Sequence, residues 1–236
     1  MDSLFIVMPA YNEEENIESV VRHWYAVLAG KSEKSRLVVA DYGSTDKTHE
    51  ILEKLQKELV QLEILGNIQD KQHGPKLLAL YDYAIQQKAN YIFQTDSDGQ
   101  TNAEEFDGFW QLRQQYDGIF AYRKVREDGK NRKFVENVVC FLLRLYFGVN
   151  IPDANAPFRL MRTETVKKYL YKLPKDYNIP NIMMTTYFAY YNERILFKTI
   201  TFKPRQGGKN KMDFSRIFKT GWKALGDFRT LKKEMR

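Results

Sequence analysis

Residues 90–100 read Asn90-Tyr91-Ile92-Phe93-Gln94-Thr95-Asp96-Ser97-Asp98-Gly99-Gln100, a strand-like apolar run that ends in two carboxylates and an amide at alternate positions. Like charges set this close are costly unless they face water or a cation. Alternate residues of an extended chain point to the same side, so Asp96, Asp98 and Gln100 can offer oxygen donors to one ion. Oxygen-only ligands suit Mg²⁺ or Mn²⁺, commonly an ion shared with substrate phosphates. The tetrad Asp96-Ser97-Asp98-Gly99 is equally good turn chemistry. Spacing alone leaves the two readings open, while the lack of Cys/His clusters argues against zinc.

Outward from this stretch, strand and helix signals alternate. "LFIVMPAY" is a short apolar run, and "EENIESVVRHWYAVLAG" then repeats apolar residues at helical spacing up to Gly30. "RLVVADYGSTDKTHEILEKLQKEL" repeats the plan, "LEILGN" is a third strand, "HGPKLLALYDYAIQQKA" a third helix and "NYIFQTD" a fourth strand. Strands joined by helices of this length predict right-handed crossovers and a mainly parallel α/β sheet. Ligands of such sheets sit outside the carboxyl ends of the strands, which selects the loops "PAYNEEE", "DYGSTD" and "TDSDGQ". Past residue 120 the pattern is less regular: a basic loop, an apolar helix over 134–147, the stretch "IPDANAPFRLMRTETV", a helix over 181–192 and a strand "ILFKTITFKP". In the last segment Phe214, Ile217, Phe218, Trp222 and Leu225 recur at helical spacing among basic residues, a pattern that fits a core helix or one lying on a membrane.

The 236 residues, 43% of them hydrophobic, suffice for one sizeable core, and a single cysteine, Cys140, excludes an internal disulfide. The N-terminus has no basic region before an apolar one and no small-residue cleavage site, so the chain is expected to be intracellular. Its longest apolar stretch, "FVENVVCFLLRLYFGV", is broken by Glu136 and Arg144 and predicts no membrane span. The net charge of +7 is concentrated in "RKVREDGKNRK" and after Lys203, which points towards an anionic partner: nucleic acid, a phosphorylated substrate or an anionic lipid. No G-x-G-x-x-G follows the first strand and no G-x-x-x-x-G-K-[ST] occurs, so neither a dinucleotide fold nor a P-loop is supported. Ser44, Thr45 and Asp46 read as a helix cap, Asp41 as a strand-end carboxylate for a base or ribose, and His23, His49 and His73 as structural or solvent-facing residues away from the acidic cluster.

Taken together and in this order, "VMPAYNEEENI", "VADYGSTDKT" and "TDSDGQ" resemble the family 2 glycosyltransferases of GT-A fold, in particular those related to dolichyl- and polyprenyl-phosphate glycosyltransferases. The likeness continues through "AYRKV", Arg132, "PDANAPFRLMRTETV" and "KPRQGGKNKM". It implies a transferase domain over 1–212 and a basic amphipathic helix over 213–236. It implies that Pro9, Tyr11, Glu13, Asp41, Asp96 and Arg205 hold a UDP-, GDP- or dTDP-sugar, and that Asp96, Asp98 and Gln100 hold the Mg²⁺ or Mn²⁺. Arg123, Arg132 and Lys211 would surround the phosphates, with Gly208 in the same element as Arg205 and Lys211. The catalytic set is then Asp98, Asp153, Arg123, Arg132 and Lys211.

Departures from the family pattern fall on the acceptor and sugar side: Asp41-Tyr42 for a paired acid, Ala156-Pro157-Phe158 for Ser-Gly-Phe, Asn210 for a serine, and threonines in "NIMMTTYFAYY" where relatives carry a glutamate. A hydroxyl acceptor needs a general base, for which Asp153 is the first candidate and Asp176 the second. A lipid phosphate is already anionic and needs none, so the resemblance implies a polyprenyl-phosphate acceptor with peripheral contact to the inner face of a membrane. Transfer to a hydroxyl of a cell-surface glycan or lipid-linked saccharide, and a non-catalytic member of the fold, are the alternatives. Nucleic-acid binding is not expected, because the aromatics sit at core-like spacing.

Overall fold

The structure, a computed structural model, describes residues 1–66, 72–123, 130–204 and 226–233. Its elements run β1 (Leu4–Ala10), α1 (Ile17–Ala26), β2 (Arg36–Asp41), α2 (Thr48–Glu58), β3 (Leu62–Ile64), α3 (His73–Gln86), β4 (Tyr91–Thr95), α4 (Asp107–Trp110), β5 (Gly118–Tyr122), α5 (Lys130–Phe147), β6 (Phe158–Arg162), α6 (Thr163–Leu170), α7 (Pro180–Tyr190) and β7 (Ile195–Thr199). Residues 226–233 are also helical.

The strands form one sheet in the order β3-β2-β1-β4-β6-β5-β7. β1 is buried along its whole length because both of its faces are covered. Phe5 and Val7 pack with Leu77, Leu80 and Tyr81 of α3, while Leu4, Ile6 and Met8 pack with Ile17 and Trp24 of α1 and Leu52 of α2. The period of two thus feeds two core layers, which is why the strand reads as an unbroken apolar run. Each such side chain contributes about 1.5–3 kcal/mol by leaving water.

The chain leaves β1 to build β2 and then β3 on one side, and returns from β3 through α3 to place β4 on the other side of β1. The crevice between the ends of β1 and β4 is therefore a topological switch point, the usual ligand position in an open α/β sheet.

The expected mainly parallel sheet carries one exception. β6, which the alternation does not predict, enters antiparallel between β4 and β5, pairing Thr95 with Phe158 and Phe120 with Arg159. β7 lies parallel to β5. The antiparallel entry has a positional effect: the loop before β6 begins its strand beside the acidic end of β4. β5 and β7 end at the same edge.

In the C-terminal segment, Phe228 and Leu231 are buried, and Phe228 meets the rings of Tyr146 and Phe147 at 6.3 and 5.7 Å. This part of the segment belongs to the core. The stripe from Phe214 to Leu225 lies outside the described residues.

Candidate active site

The loops after β1 and β2 are laced together by short polar side chains. Asn12 sits at φ 53°, a left-handed conformation that asparagine tolerates because its amide bonds locally. Its Oδ1 accepts from Thr45 N at 2.8 Å, and its own N donates to Ser44 Oγ at 3.0 Å. Glu13 N donates to Thr48 Oγ1 at 2.8 Å, and Glu14 N donates to Asp46 Oδ2 at 3.1 Å. Asp46 also accepts from Thr48 N at 3.0 Å, as its expected capping role requires. Glu13 is buried and accepts from Asn16 Nδ2 at 3.3 Å. Tyr11 is exposed at the crevice edge, 46% of its surface open.

Asp41 closes β2 and is buried, accepting from Ser44 Oγ at 2.6 Å. Its second oxygen lies 3.0 Å from His49 Nδ1. The other acidic loop shows the same pairing, with His73 Nε2 3.3 Å from Asp96 Oδ1. Two of the three histidines therefore face the predicted site carboxylates, which corrects the expectation that they lie away from them. α2 and α3 each start beside a strand end, and that places the imidazoles there.

Lys76, which the sequence pattern does not single out, stands among the candidate site residues. It is 1% exposed, its Nζ donates to the Ala10 carbonyl at 2.6 Å, and it stands 5.2 Å from the Tyr11 ring centre. Burial lowers its pKa from the ordinary lysine value, against a raising influence from Asp41. The result is a cation at the floor of the crevice between the first two loops.

The third loop joins the first directly: Ser97 Oγ donates to the Pro9 carbonyl at 2.9 Å. Asp98 Oδ1 accepts from Gln100 N at 3.1 Å, so the tetrad is indeed a turn, and the two readings of it are compatible. Gln100 Nε2 donates to the Lys203 carbonyl at 2.9 Å, and Lys203 N returns a bond to the Gln100 carbonyl at 2.9 Å. The segment that opens the basic C-terminus thus begins against the acidic loop. Among the described residues no three His, Cys, Asp or Glu side chains cluster as a complete metal cage. Two carboxylates, with Asp96 25% exposed and a neighbouring amide, instead fit a hard cation that completes its shell with water and substrate oxygens.

On the other wall Arg123 follows β5 and is buried. Its Nε and Nη2 donate to Asp153 Oδ2 and Oδ1 at 2.8 and 2.9 Å, and its backbone N donates to Oδ2 at 3.2 Å. Glu136 of α5 stands 3.5 Å from the same guanidinium and accepts from Ala154 N at 2.8 Å. Arg159, fully buried on β6, donates to the carbonyls of Ala156, Asn181 and Ala154 at 3.0, 3.0 and 3.3 Å. Thr185 Oγ1 accompanies it, 2.9 Å from the Asn181 carbonyl and 3.1 Å from that of Ala154. Thr185, one of the two threonines of that stretch, therefore helps to anchor the loop before β6. Arg132 lies in α5, whose first residues are described by their backbone course alone; Arg205, Gly208, Asn210 and Lys211 lie outside the described residues.

The sequence model of glycosyl transferase family 2 matches residues 5–170. An undecaprenyl-phosphate 4-deoxy-4-formamido-L-arabinose transferase of Shewanella sediminis is 25% identical over 173 residues, 72% of this chain and 51% of that protein. An uncharacterized glycosyltransferase of Synechocystis is 26% identical over 220 residues, 91% of this chain and 66% of its own length. The chain spans about half to two thirds of the length of the curated relatives it matches. Glucosyl-3-phosphoglycerate synthase of Mycobacterium tuberculosis, solved with Mn²⁺ and UDP-glucose, superposes with a TM-score of 0.70 at 16% identity, covering 96% of this chain and 79% of that one. The chain belongs to glycosyl transferase family 2 and has the GT-A fold.

Proposed function

We propose that the chain is a metal-dependent, inverting glycosyltransferase that moves a sugar from a nucleotide-diphospho-sugar to a polyprenyl phosphate. The observation that carries this reading is the placement, at one edge of the sheet around its switch point, of a base-side pocket at Asp41 and Lys76, the oxygen donors Asp96 and Asp98, and a buried Arg123 oriented by Asp153. The names of the matching relatives support the acceptor class, and the Mn²⁺ and UDP-glucose of the M. tuberculosis synthase support the donor class and the metal.

Pro9, Tyr11, Glu13 and Asp41 are assigned to the nucleoside, with Lys76 beneath them. Asp96, Asp98 and Gln100 would hold Mg²⁺ or Mn²⁺, which supplies positive charge against a departing diphosphate. By resemblance Arg132, Arg205 and Lys211 would oppose the remaining diphosphate charge, donors aimed where negative charge develops, while Arg123 would face the acceptor phosphate. Attack from the face opposite the leaving group inverts the anomeric carbon.

An acceptor that is already an anion requires no general base. A hydroxyl acceptor requires one, and Asp153 spends both oxygens on Arg123 while Thr185 spends its hydroxyl on backbone carbonyls. We therefore assign Asp153 to holding Arg123 in place. Calorimetry of UDP, GDP and dTDP with and without Mn²⁺, on wild type and Asp98→Ala, tests the reading. Tight binding of one nucleotide that needs both the ion and Asp98 is expected. No binding of any nucleotide would overturn it.

A further inference from the structure

α5 has one face built into the molecule and one left exposed among the described residues. Leu143 and Phe147 are buried on the inner face, and Glu136 reaches Arg123 and Ala154 from the same side. On the outer face Phe134, Val138, Phe141 and Leu145 are 69, 41, 64 and 67% exposed. Their spacing of four, three and four residues keeps all four within about 60° of arc at 3.6 residues per turn. Single exposed apolar residues are ordinary, whereas a continuous stripe of four large ones on one helix marks a contact surface.

We propose that this stripe is where the protein lies on an anionic lipid surface, and that it sets the distance from that surface to the acceptor site. The proposal rests on the reading of the acceptor as a lipid phosphate. Charge selects the occupant: exposed Lys133 and Arg144 border the stripe on one flank, on a chain of net charge +7. An amphipathic helix with a cationic border lies in the headgroup plane with its apolar residues sunk below it. A second copy of the chain, docked through the same stripe, would bring these like charges together.

Geometry gives the surface a purpose. Glu136 contacts Arg123 from the inner face while Phe134 and Val138 stand on the outer face one turn or less away. The lipid boundary would then run about one helix diameter, roughly 10–12 Å, from the Arg123 guanidinium. A phosphate carried at the membrane surface on an apolar tail needs no extraction over a longer distance. The C-terminal segment is the weaker candidate for this role in its described part, because Phe228 and Leu231 are buried in the core.

Flotation of the 236-residue chain with vesicles tests the proposal without any transfer assay. Wild type should float with vesicles of equal phosphatidylglycerol and phosphatidylcholine, and more weakly with phosphatidylcholine alone. The double variant Phe134→Ser, Phe141→Ser should lose at least about tenfold in partitioning, since each ring leaves an apolar contact. Lys133→Glu with Arg144→Glu should lose the preference for anionic vesicles. Nucleotide calorimetry on the serine variant should be unchanged, which shows that the fold and donor pocket survive.

A wild type that floats with neither vesicle, or a serine variant that floats as well as wild type, overturns the proposal. So does a dimer, seen by sedimentation, that the serine variant disperses while vesicle binding is absent. A wild type that floats as expected but binds no nucleotide would overturn the transferase reading alone, leaving the lipid contact in place.

Discussion

Arg123 and Asp153 meet as two parallel hydrogen bonds, 2.8 and 2.9 Å long, between groups 30 positions apart in the chain. The pair joins the end of β5 to the loop before β6. A fork-on-carboxylate geometry fixes the plane of the guanidinium as well as its position, so the cation is presented in one orientation.

Asp153→Asn keeps the shape and removes the charge, leaving a buried guanidinium with the more distant Glu136. Breaking a buried pair from one side should cost about 3 kcal/mol in a urea unfolding series. If Asp153 positions Arg123, the acceptor KM rises while donor affinity measured by calorimetry holds. A fall in kcat alone, with loss of the acid limb of the pH profile, would instead identify Asp153 as a base.

Lys76→Met keeps the aliphatic stem and removes the bond to Ala10. Nucleotide affinity should fall about tenfold, the value of a charge-assisted hydrogen bond. The pH dependence has a definite sign. Burial lowers the Lys76 pKa, so the unfolded chain binds this proton more readily than the folded one, and stability rises with pH. The cost is fully present below the lowered folded value and is relieved as pH climbs through it towards 10.5. Wild type should therefore gain on Lys76→Met in unfolding free energy over that range.

Gly74→Ala tests the start of α3. A Cβ there would stand 2.2 Å from the Tyr177 carbonyl and 2.6 Å from Asn178 Cα, both backbone atoms that cannot swing away. A loss of about 2–3 kcal/mol in unfolding free energy is expected. Because His73 and Lys76 flank this position, nucleotide binding should weaken as well, by calorimetry.

Asp117 binds Arg194 through both oxygens, at 2.8 and 3.0 Å, and those bonds hold its carboxyl below the ordinary range despite an opposing effect of burial. Its contribution is present above the unfolded pKa and disappears as pH falls through the lowered folded value. Arg194 is 59% exposed, so Asp117→Asn should cost no more than about 1 kcal/mol near neutrality. The gap between the two proteins should close in acid, which thermal unfolding from pH 7 downward would record.

The first four strands and the loops that close β1, β2 and β4 were legible because β1 and its neighbours are buried on both faces and end in polar loops, so run and punctuation were both visible. β6 was not. Arg159 and Arg162 interrupt its apolar pattern, and nothing in a one-dimensional string says that Arg159 satisfies itself on three carbonyls inside the protein. The histidines failed for a similar reason. His49 reaches Asp41 because the intervening loop folds back, a proximity that neither helical nor strand periodicity encodes. Lys76 could have been suspected from a charged residue set within the apolar run "GPKLLAL", three positions after His73.

The antiparallel entry of β6 also orders events in time. β1, β2 and β3 acquire all their sheet partners from the first 95 residues, whereas β5 reaches the sheet only through β6, and β6 pairs with β4 across some 63 to 71 positions. Long-range pairings close late, because loop entropy must be overcome before contacts repay it. A nascent chain leaving the ribosome would therefore have the ends of β1, β2 and β4 assembled while Arg123, Asp153 and β6 were still being translated.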